Sequence, residues 1–454
     1  MTNSPTLHDP AHPSDAKSMT GDSRLHVVMV DEELPYPPTS GKRIRTLNLT
    51  RRLARRHHIT YVCHRNADAQ EARQAAIYLA EQGIAPVVVD HTVPGKSGPG
   101  FYFRLAANLV SSLPFSVATH MSAAMKKALT ELAATQPIDL WHCEWTPYAH
   151  ALRHLHGRPR LIMAHNLESI IWQRYYETEQ NPFKRWYIKQ QWQKFQCFER
   201  RVFAEANQVV TVSDQDAERV TADFRGARPE VVENGVDTTF FRPMGEEREP
   251  AHILFLGSLD WRPNLDAVNL LLNDIFPVVR AAEPTAHLSL VGRHPPDWLA
   301  QEVQERAGVS LHGDVTDVRP FLARCGQLAV PLRIGGGSRL KILEALACET
   351  PVVSTRIGAE GLHLENGRHL DVVERVEDMA GALLRCIRSP AAAQAQARVG
   401  RRLVLDRYDW DMLANKLEQI WLSCAQMNGT STFDSEIRSS RFKVDTPSTM
   451  EFRI

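Results

Sequence analysis

Residues 331–361 read PLRIGGGSRLKILEALACETPVVSTRIGAEG. An apolar run ending at Leu332 gives way to three consecutive glycines, Gly335, Gly336 and Gly337. A helix-compatible segment opens near Ser338, and a second apolar run starts at Pro351. The order is strand, glycine loop, helix, strand. Glycines permit close backbone approach and positive φ, and Ser338 as N-cap would aim the free N–H groups of a helix start at an anion. Arg339 and Lys341 stand in that first turn, where the helix dipole favours carboxylates; cations set against the dipole point to a negatively charged ligand. The alternative is an ordinary turn, followed by a surface pair between Lys341 and Glu344 that contributes on the order of 0.2–0.5 kcal/mol. The loop has the spacing of neither a P-loop nor a dinucleotide fingerprint.

Outward from this stretch, 454 residues predict two or three domains, and 43% hydrophobic with 23% charged residues describes a globular enzyme with ample core. A formal net charge of zero argues against a dedicated nucleic-acid binder. Residues 1–230 carry 28 Lys and Arg against 23 Asp and Glu, and the remainder 25 against 30. The basic excess gathers in residues 42–56, with seven cations and no acid; it reads as a solvated helix face, or as a surface for membrane phosphates or an anionic lipid-linked substrate. Seven scattered cysteines without a CxxC pair suit reduced core positions in a cytosolic protein. Residues 1–23 and 426–454 are polar and read as disordered tails, the first without the pattern of a signal peptide, and no apolar run reaches the ~18 residues that span a bilayer.

LHVVMV (25–30) is the all-apolar run of a parallel strand buried on both faces. After a long loop, a helix follows in which Ile44, Leu47 and Leu53 share a face. Strands over 59–63, 86–90, 139–143, 161–164 and 208–212 then alternate with helices over 70–81, 122–132 and 183–206. Residues 101–119, aromatic and almost free of charge, read as core or interdomain packing, or as a surface resting on a membrane. Trp186, Trp192 and Phe195 among lysines and arginines read as helix packing with a solvated basic face. In VVENGVD (231–237), Asn234, Gly235 and Asp237 read as hinge residues, with Gly235 free to take positive φ, and a charged stretch to Pro250 reads as a linker. A second alternation follows: HILFLG, HLSLVG, VSLHG, QLAVPL, PVVST and HLDVV, with helices from Pro263, Pro296, Val318 and the glycine loop. The pattern is α/β, two doubly wound parallel sheets facing a common crevice.

Five motifs in this order resemble the retaining, metal-independent glycosyltransferases of family four, which have the GT-B fold of two Rossmann-like domains. They are LPYPPTSGKRIRTLNL (34–49), AHNLE (164–168), VVENGVD, LFLGSLDWRPNLDAV (254–268) and GGGSRLKILEALACETPVVSTRIGAEGL (335–362), and the similarity covers about residues 25–424. The resemblance implies an acceptor-binding domain over 24–235, joined by a C-terminal helix at about 408–425 that packs back on it, and a nucleotide-sugar domain over 236–407. It also implies transfer of a sugar from a nucleoside-diphosphate sugar to a glycan or lipid-linked acceptor in polysaccharide or glycoconjugate biosynthesis.

By that resemblance Glu344 accepts both ribose hydroxyls, as an ionised carboxylate can. Arg339 and Lys341 face the diphosphate and offset the charge that grows on the leaving group, in place of a divalent metal. Gly335, Gly336, Gly337 and Ser338 approach sugar or phosphate through their backbone. Gly336 departs from the family pattern, which has a glutamate eight residues before Glu344. Gly41 nears the diphosphate and acceptor, His165 contacts the donor sugar or departing phosphate, Gly257 and Ser258 offer backbone to phosphate, and Arg262 is a third cation or, if Pro263 starts a helix, a solvated one. Asp409-Trp410-Asp411 has the spelling of a metal-binding loop but the setting of a helix cap. No metal and no cofactor are expected, and nucleic acid is not an expected partner. The setting implied is the cytoplasm, with peripheral contact at the cytoplasmic face of a membrane. The alternatives are a non-catalytic nucleotide-sugar-binding subunit of a polysaccharide assembly complex and a GT-B-type nucleotide-sugar epimerase.

Overall fold

The computed structural model describes residues 24–91, 98–224, 229–333 and 340–427. The glycine loop with Gly335, Gly336, Gly337, Ser338 and Arg339, and the two stretches read as tails apart from Gln426 and Met427, lie outside the described residues.

Two sheets carry the chain. The first holds β1 (His26–Asp31), β2 (His58–His64), β3 (Ile84–Val89), β4 (Leu140–Cys143), β5 (Arg160–Ala164), β6 (Gln208–Thr211) and β7 (Glu230–Val231), in the order β3-β2-β1-β4-β5-β6-β7. The second holds β8 (Glu249–Leu256), β9 (His287–Gly292), β10 (Val309–Gly313), β11 (Cys325–Val330), β12 (Val352–Thr355) and β13 (Asp371–Val373), in the order β10-β9-β8-β11-β12-β13. Neighbours run parallel: Val27 faces Ile59 and Leu140, and Ile253 faces Leu288 and Gln327. Each sheet winds outward from its first strand and then reverses past it. The switch points fall between β1 and β4 and between β8 and β11, and such sheets bind ligands beyond their strand C-termini at those points.

The apolar runs explain the layering. Val27, Val28, Met29 and Val30 are all buried. Val28 and Val30 face a layer with Trp141, Leu129 and Phe195, while Val27 and Met29 face one with Leu47, Leu53 and Trp421. Trp421 belongs to the C-terminal helix Trp410–Gln426, which crosses back and packs on the Gly41–Leu53 helix, β4 and β5. Where the chain leaves and re-enters the first domain, Val236 N–H donates to Tyr408 O (2.8 Å) and Trp410 N–H to Val236 O (3.3 Å). Gly235 sits against this crossing without positive φ, contrary to expectation. A Cβ there would lie 2.5 Å from Leu413 Cδ1 and 2.6 Å from Tyr408 O, so the position needs glycine for close approach.

Three further expectations change. The basic stretch 42–56 is for the most part paired within the chain rather than solvated. Lys42 pairs with Asp31, Arg43 with Glu33, Arg52 with Asp411 and Arg56 with Glu418, while Arg45 is buried and donates to the Val232 and Glu233 carbonyls. In residues 101–119, Asn108 and Val117 are buried, but Tyr102, Phe103 and Val110 are 69%, 75% and 93% exposed. The Pro99–Asn108 helix is held at its end by Asn108, which takes bonds from Gln191 Nε2 and Lys194 Nζ, and this leaves its aromatic face uncovered. On the Pro182–Glu205 helix Phe195 is core, whereas Trp186 is 54% exposed and not a packing residue.

Candidate functional site

A cavity of about 550 Å³ opens between the two sheets at their strand C-termini. The first domain contributes Ser40, Gly41 and Lys42 from the start of the Gly41–Leu53 helix, His165 and Asn166 after β5, and Ser213, Gln215 and Asp216 after β6. The second contributes Ser258, Asp260 and Trp261 after β8, Arg293 after β9, and Glu360, Gly361 and Leu362 after β12. Glu233 and Asn234 line it at the crossing between the domains. Ser40 caps its helix by accepting from Arg43 N–H (3.3 Å), so the positive end of that helix looks into the cavity.

Behind the first-domain wall lies a buried charge network. Lys42 Nζ is 2.5 Å from Asp31 Oδ1 and 3.6 Å from Glu32 Oε2, and it stands over the Trp145 ring at 5.1 Å. Burial disfavours this ammonium, but Asp31 and Glu32 outweigh burial and raise its pKa. Glu144 Oε1 accepts from Thr46 Oγ1 (2.8 Å) and from His165 Nε2 (3.1 Å), and its Oε2 lies 2.8 Å from His142 Nε2. Trp421 Nε1–H can only donate, and it does so to His142 Nδ1 (3.0 Å), which makes His142 Nε2 the proton-bearing nitrogen facing Glu144. Burial would raise the Glu144 carboxyl, but the bonds from His142 and His165 hold it well below the usual range. Burial lowers the His165 imidazole despite the Glu144 bond, so His165 is a neutral ring with Nε2–H on Glu144 and Nδ1 as its acceptor.

The second-domain wall is tied together by Asn264. Its Nδ2 donates to Ser258 O (2.8 Å), and its Oδ1 accepts from Lys341 Nζ (3.0 Å), which also stands 4.6 Å from the Phe255 ring centre. Gly257 permits this, because a Cβ there would lie 2.7 Å from Asn264 Nδ2. Lys341 and Glu344 lie on the Leu340–Ala347 helix. Burial pushes the Glu344 carboxyl up to about 7, and Lys341 pulls the other way.

Of the residues singled out from sequence, His165, Gly41 and Ser258 line the cavity directly; Gly257, Lys341 and Glu344 do not, Lys341 being bonded to Asn264, which in turn holds the Ser258 carbonyl. Glu344 sits one turn beyond Lys341. Arg262 does not line the cavity: Pro263 is the second residue of the Arg262–Leu270 helix, and Arg262 is exposed at its start. Arg293 lines it instead. Sequence reasoning also passed over Lys42, Glu144 and Asn264. Asp409 is a helix cap, accepting from Asp411 N–H (2.7 Å) and from Thr238.

Two facing doubly wound sheets with the cleft at their strand C-termini define the GT-B fold. Residues 39–240 match the sequence profile of glycosyltransferase family 4, and residues 250–389 that of the glycosyl transferases group 1. The glycogen synthase of Mycobacterium tuberculosis is 26% identical over 294 residues, which is 62% of this chain and 69% of that one. Among solved structures, the sucrose-phosphate synthase of Thermosynechococcus elongatus superposes with a TM-score of 0.64 at 19% identity, covering 88% of this chain and 99% of the other. Anabaena HepE, solved with UDP and glucose, gives 0.60 at 14% identity, covering 88% and 100%. The chain belongs to the family-four, group 1 glycosyltransferases, and it is a nucleotide-sugar glycosyltransferase.

Proposed function

We propose that the protein moves a sugar from a nucleoside-diphosphate sugar to a glycan or lipid-linked acceptor, with retention at the anomeric carbon and without a catalytic metal. The observation that carries this reading is the cavity itself, which sets His165 and the Gly41 helix start opposite Ser258 and Arg293. The diphosphate lies along Gly257, Ser258 and Lys341, with Arg293 as a further cation, and Glu344 takes the ribose hydroxyls. His165, held by Glu144, accepts a hydrogen bond from a donor-sugar hydroxyl through Nδ1.

In the reaction, the bond from the anomeric carbon to the diphosphate oxygen breaks and a bond to the acceptor oxygen forms on the same face. The acceptor proton passes to the departing phosphate oxygen. Lys341, Arg293 and the helix dipoles offset the charge that develops there. This front-side course needs no carboxylate nucleophile, unlike the two-carboxylate scheme of glycosidases. A UDP-type donor is favoured by the Anabaena structure solved with UDP and glucose.

Among the described residues no helix is long and apolar enough to cross a membrane. The exposed Tyr102, Phe103 and Val110 support a peripheral site of action, and six buried free cysteines support a reducing, cytoplasmic setting.

The test is nucleoside-diphosphate release from UDP-, GDP- and ADP-sugars with candidate acceptors, with product anomers read by NMR. Glu344→Ala and His165→Ala should each cut turnover by at least about 10²-fold. Donor binding without turnover on any acceptor would support a non-catalytic binding subunit instead. Full activity of both variants would sink the site assignment, and inversion at the anomeric carbon would sink the mechanism.

A further inference from the structure

The far end of the second sheet, one strand length from the cleft, carries a cluster that catalysis does not use. His252 on β8 and His287 on β9 are register partners, and their rings stack at 3.8 Å between centroids. Glu249, the first residue of β8, places Oε2 3.7 Å from His252 Nδ1 and 3.6 Å from His287 Nε2, and all three atoms lie within 4.8 Å of one another. His252 is 7% exposed, and its Nδ1 is a fully buried polar atom with no hydrogen-bond partner.

The other ring nitrogen explains what Nδ1 offers. His252 Nε2 is 2.9 Å from Ser289 Oγ, Ser289 Oγ is 3.1 Å from Ser310 Oγ, and Ser310 Oγ is 3.1 Å from His312 Nε2. If each hydroxyl donates onward to the next acceptor, the chain runs from His252 Nε2–H to the His312 lone pair, and Nδ1 is left as a bare lone pair aimed at Glu249 and His287. Metal-ligating histidines are oriented in this manner, by a hydrogen bond on the nitrogen that does not bind. The charges facing His287 are Glu249, which favours a cation, and Arg280, whose guanidinium is tied to the Ala286 carbonyl.

We propose that Glu249, His252 and His287 bind a divalent transition-metal ion of the zinc type through Oε2, Nδ1 and Nε2. Two imidazoles and a carboxylate are a zinc donor set, and a water completes the tetrahedron. Bonds of about 2.0–2.1 Å require ligand atoms about 3.3 Å apart. Reaching that separation takes a rotation of Glu249, whose side chain is 57% exposed, and a turn of the 37% exposed His287 ring out of its stack on His252. The ion clips the starts of β8 and β9 together and takes no part in sugar transfer.

The full-length protein, stripped with chelator, is titrated with Zn²⁺ by calorimetry and with Co²⁺ followed by visible absorption. One ion per chain, a raised Tm and a tetrahedral Co²⁺ spectrum are expected. Replacing His252 risks the fold because it is buried, so Glu249→Gln and His287→Gln carry the comparison. Each should weaken binding by about 10-fold or more while donor affinity stays unchanged. Absence of stoichiometric binding to the parent, or binding that survives the double Glu249→Gln/His287→Gln change, overturns the site. Loss of sugar transfer in a folded Glu249→Gln protein overturns its separation from catalysis.

Discussion

The ribose contact proposed for Glu344 would give donor recognition a pH signature. With its carboxyl lifted to about 7 by burial, near neutral pH a share of free molecules carries it protonated, and one oxygen then donates instead of accepting. Only the ionised form accepts both ribose hydroxyls. Nucleotide affinity should therefore fall as pH drops through about 7 and level off above it, and Glu344→Gln should bind weakly with no such step; titration calorimetry on either side of that pH decides. Glu144 poses a stability question. Glu144→Ala leaves the buried Thr46 and His165 donors without their acceptor and should cost about 1–3 kcal/mol for each in urea unfolding. Because its folded pKa is depressed, its contribution is complete above the ordinary carboxylate range and is lost as pH falls through the folded value. Some of this site was readable in the sequence. His165 follows a strand inside a motif, and Gly257-Ser258 ends another; Gly292-Arg293 ends β9 in the same manner, so Arg293 carried a signal that Arg262 outshone. Glu144 and Trp421 carried none, since their link through His142 joins residues 279 positions apart.

At the scale of elements, period and composition located the strands well, because strands buried on both faces are written as unbroken apolar runs. They misjudged what faces what. The Gly41–Leu53 helix looked like a cationic surface, yet its counter-charges come from the loop after β1 and from the C-terminal helix, whose acids no local window could pair with it. β7 was read as part of a turn, since two residues are too few to show a period. Conversely, Tyr102, Phe103 and Val110 looked like core because apolar residues usually are, and nothing local revealed that the Pro99–Asn108 helix is anchored through Asn108 instead. If that edge rests on lipid, replacing the three with Ser should leave the unfolding free energy within about 1 kcal/mol of the parent's while abolishing co-sedimentation with vesicles. Equal sedimentation of the two proteins would remove the membrane from the account.

For the molecule as a whole, two alternations of strand and helix sufficed to call for two doubly wound sheets, and the sheet orders agree. The crossing was less legible, because the fit of Gly235 against Tyr408 and Leu413 joins the middle of the chain to its end. The Trp410–Gln426 helix buries Trp410, Leu413, Leu417, Ile420 and Trp421 on the first sheet. Each contributes roughly 1.5–3 kcal/mol, together as much as the ~5–15 kcal/mol of net stability such domains possess. A chain stopped at Arg407 should therefore lose the first domain's cooperative melt, and a parental transition in that protein would refute the packing. The side-by-side hydrogen bonds of Val236 with Tyr408 and Trp410 have a topological meaning too. The second sheet is a cassette let into the first domain, entering and leaving through one doorway. A cassette whose ends already touch can be lifted out or exchanged between relatives while the first domain keeps every residue it has.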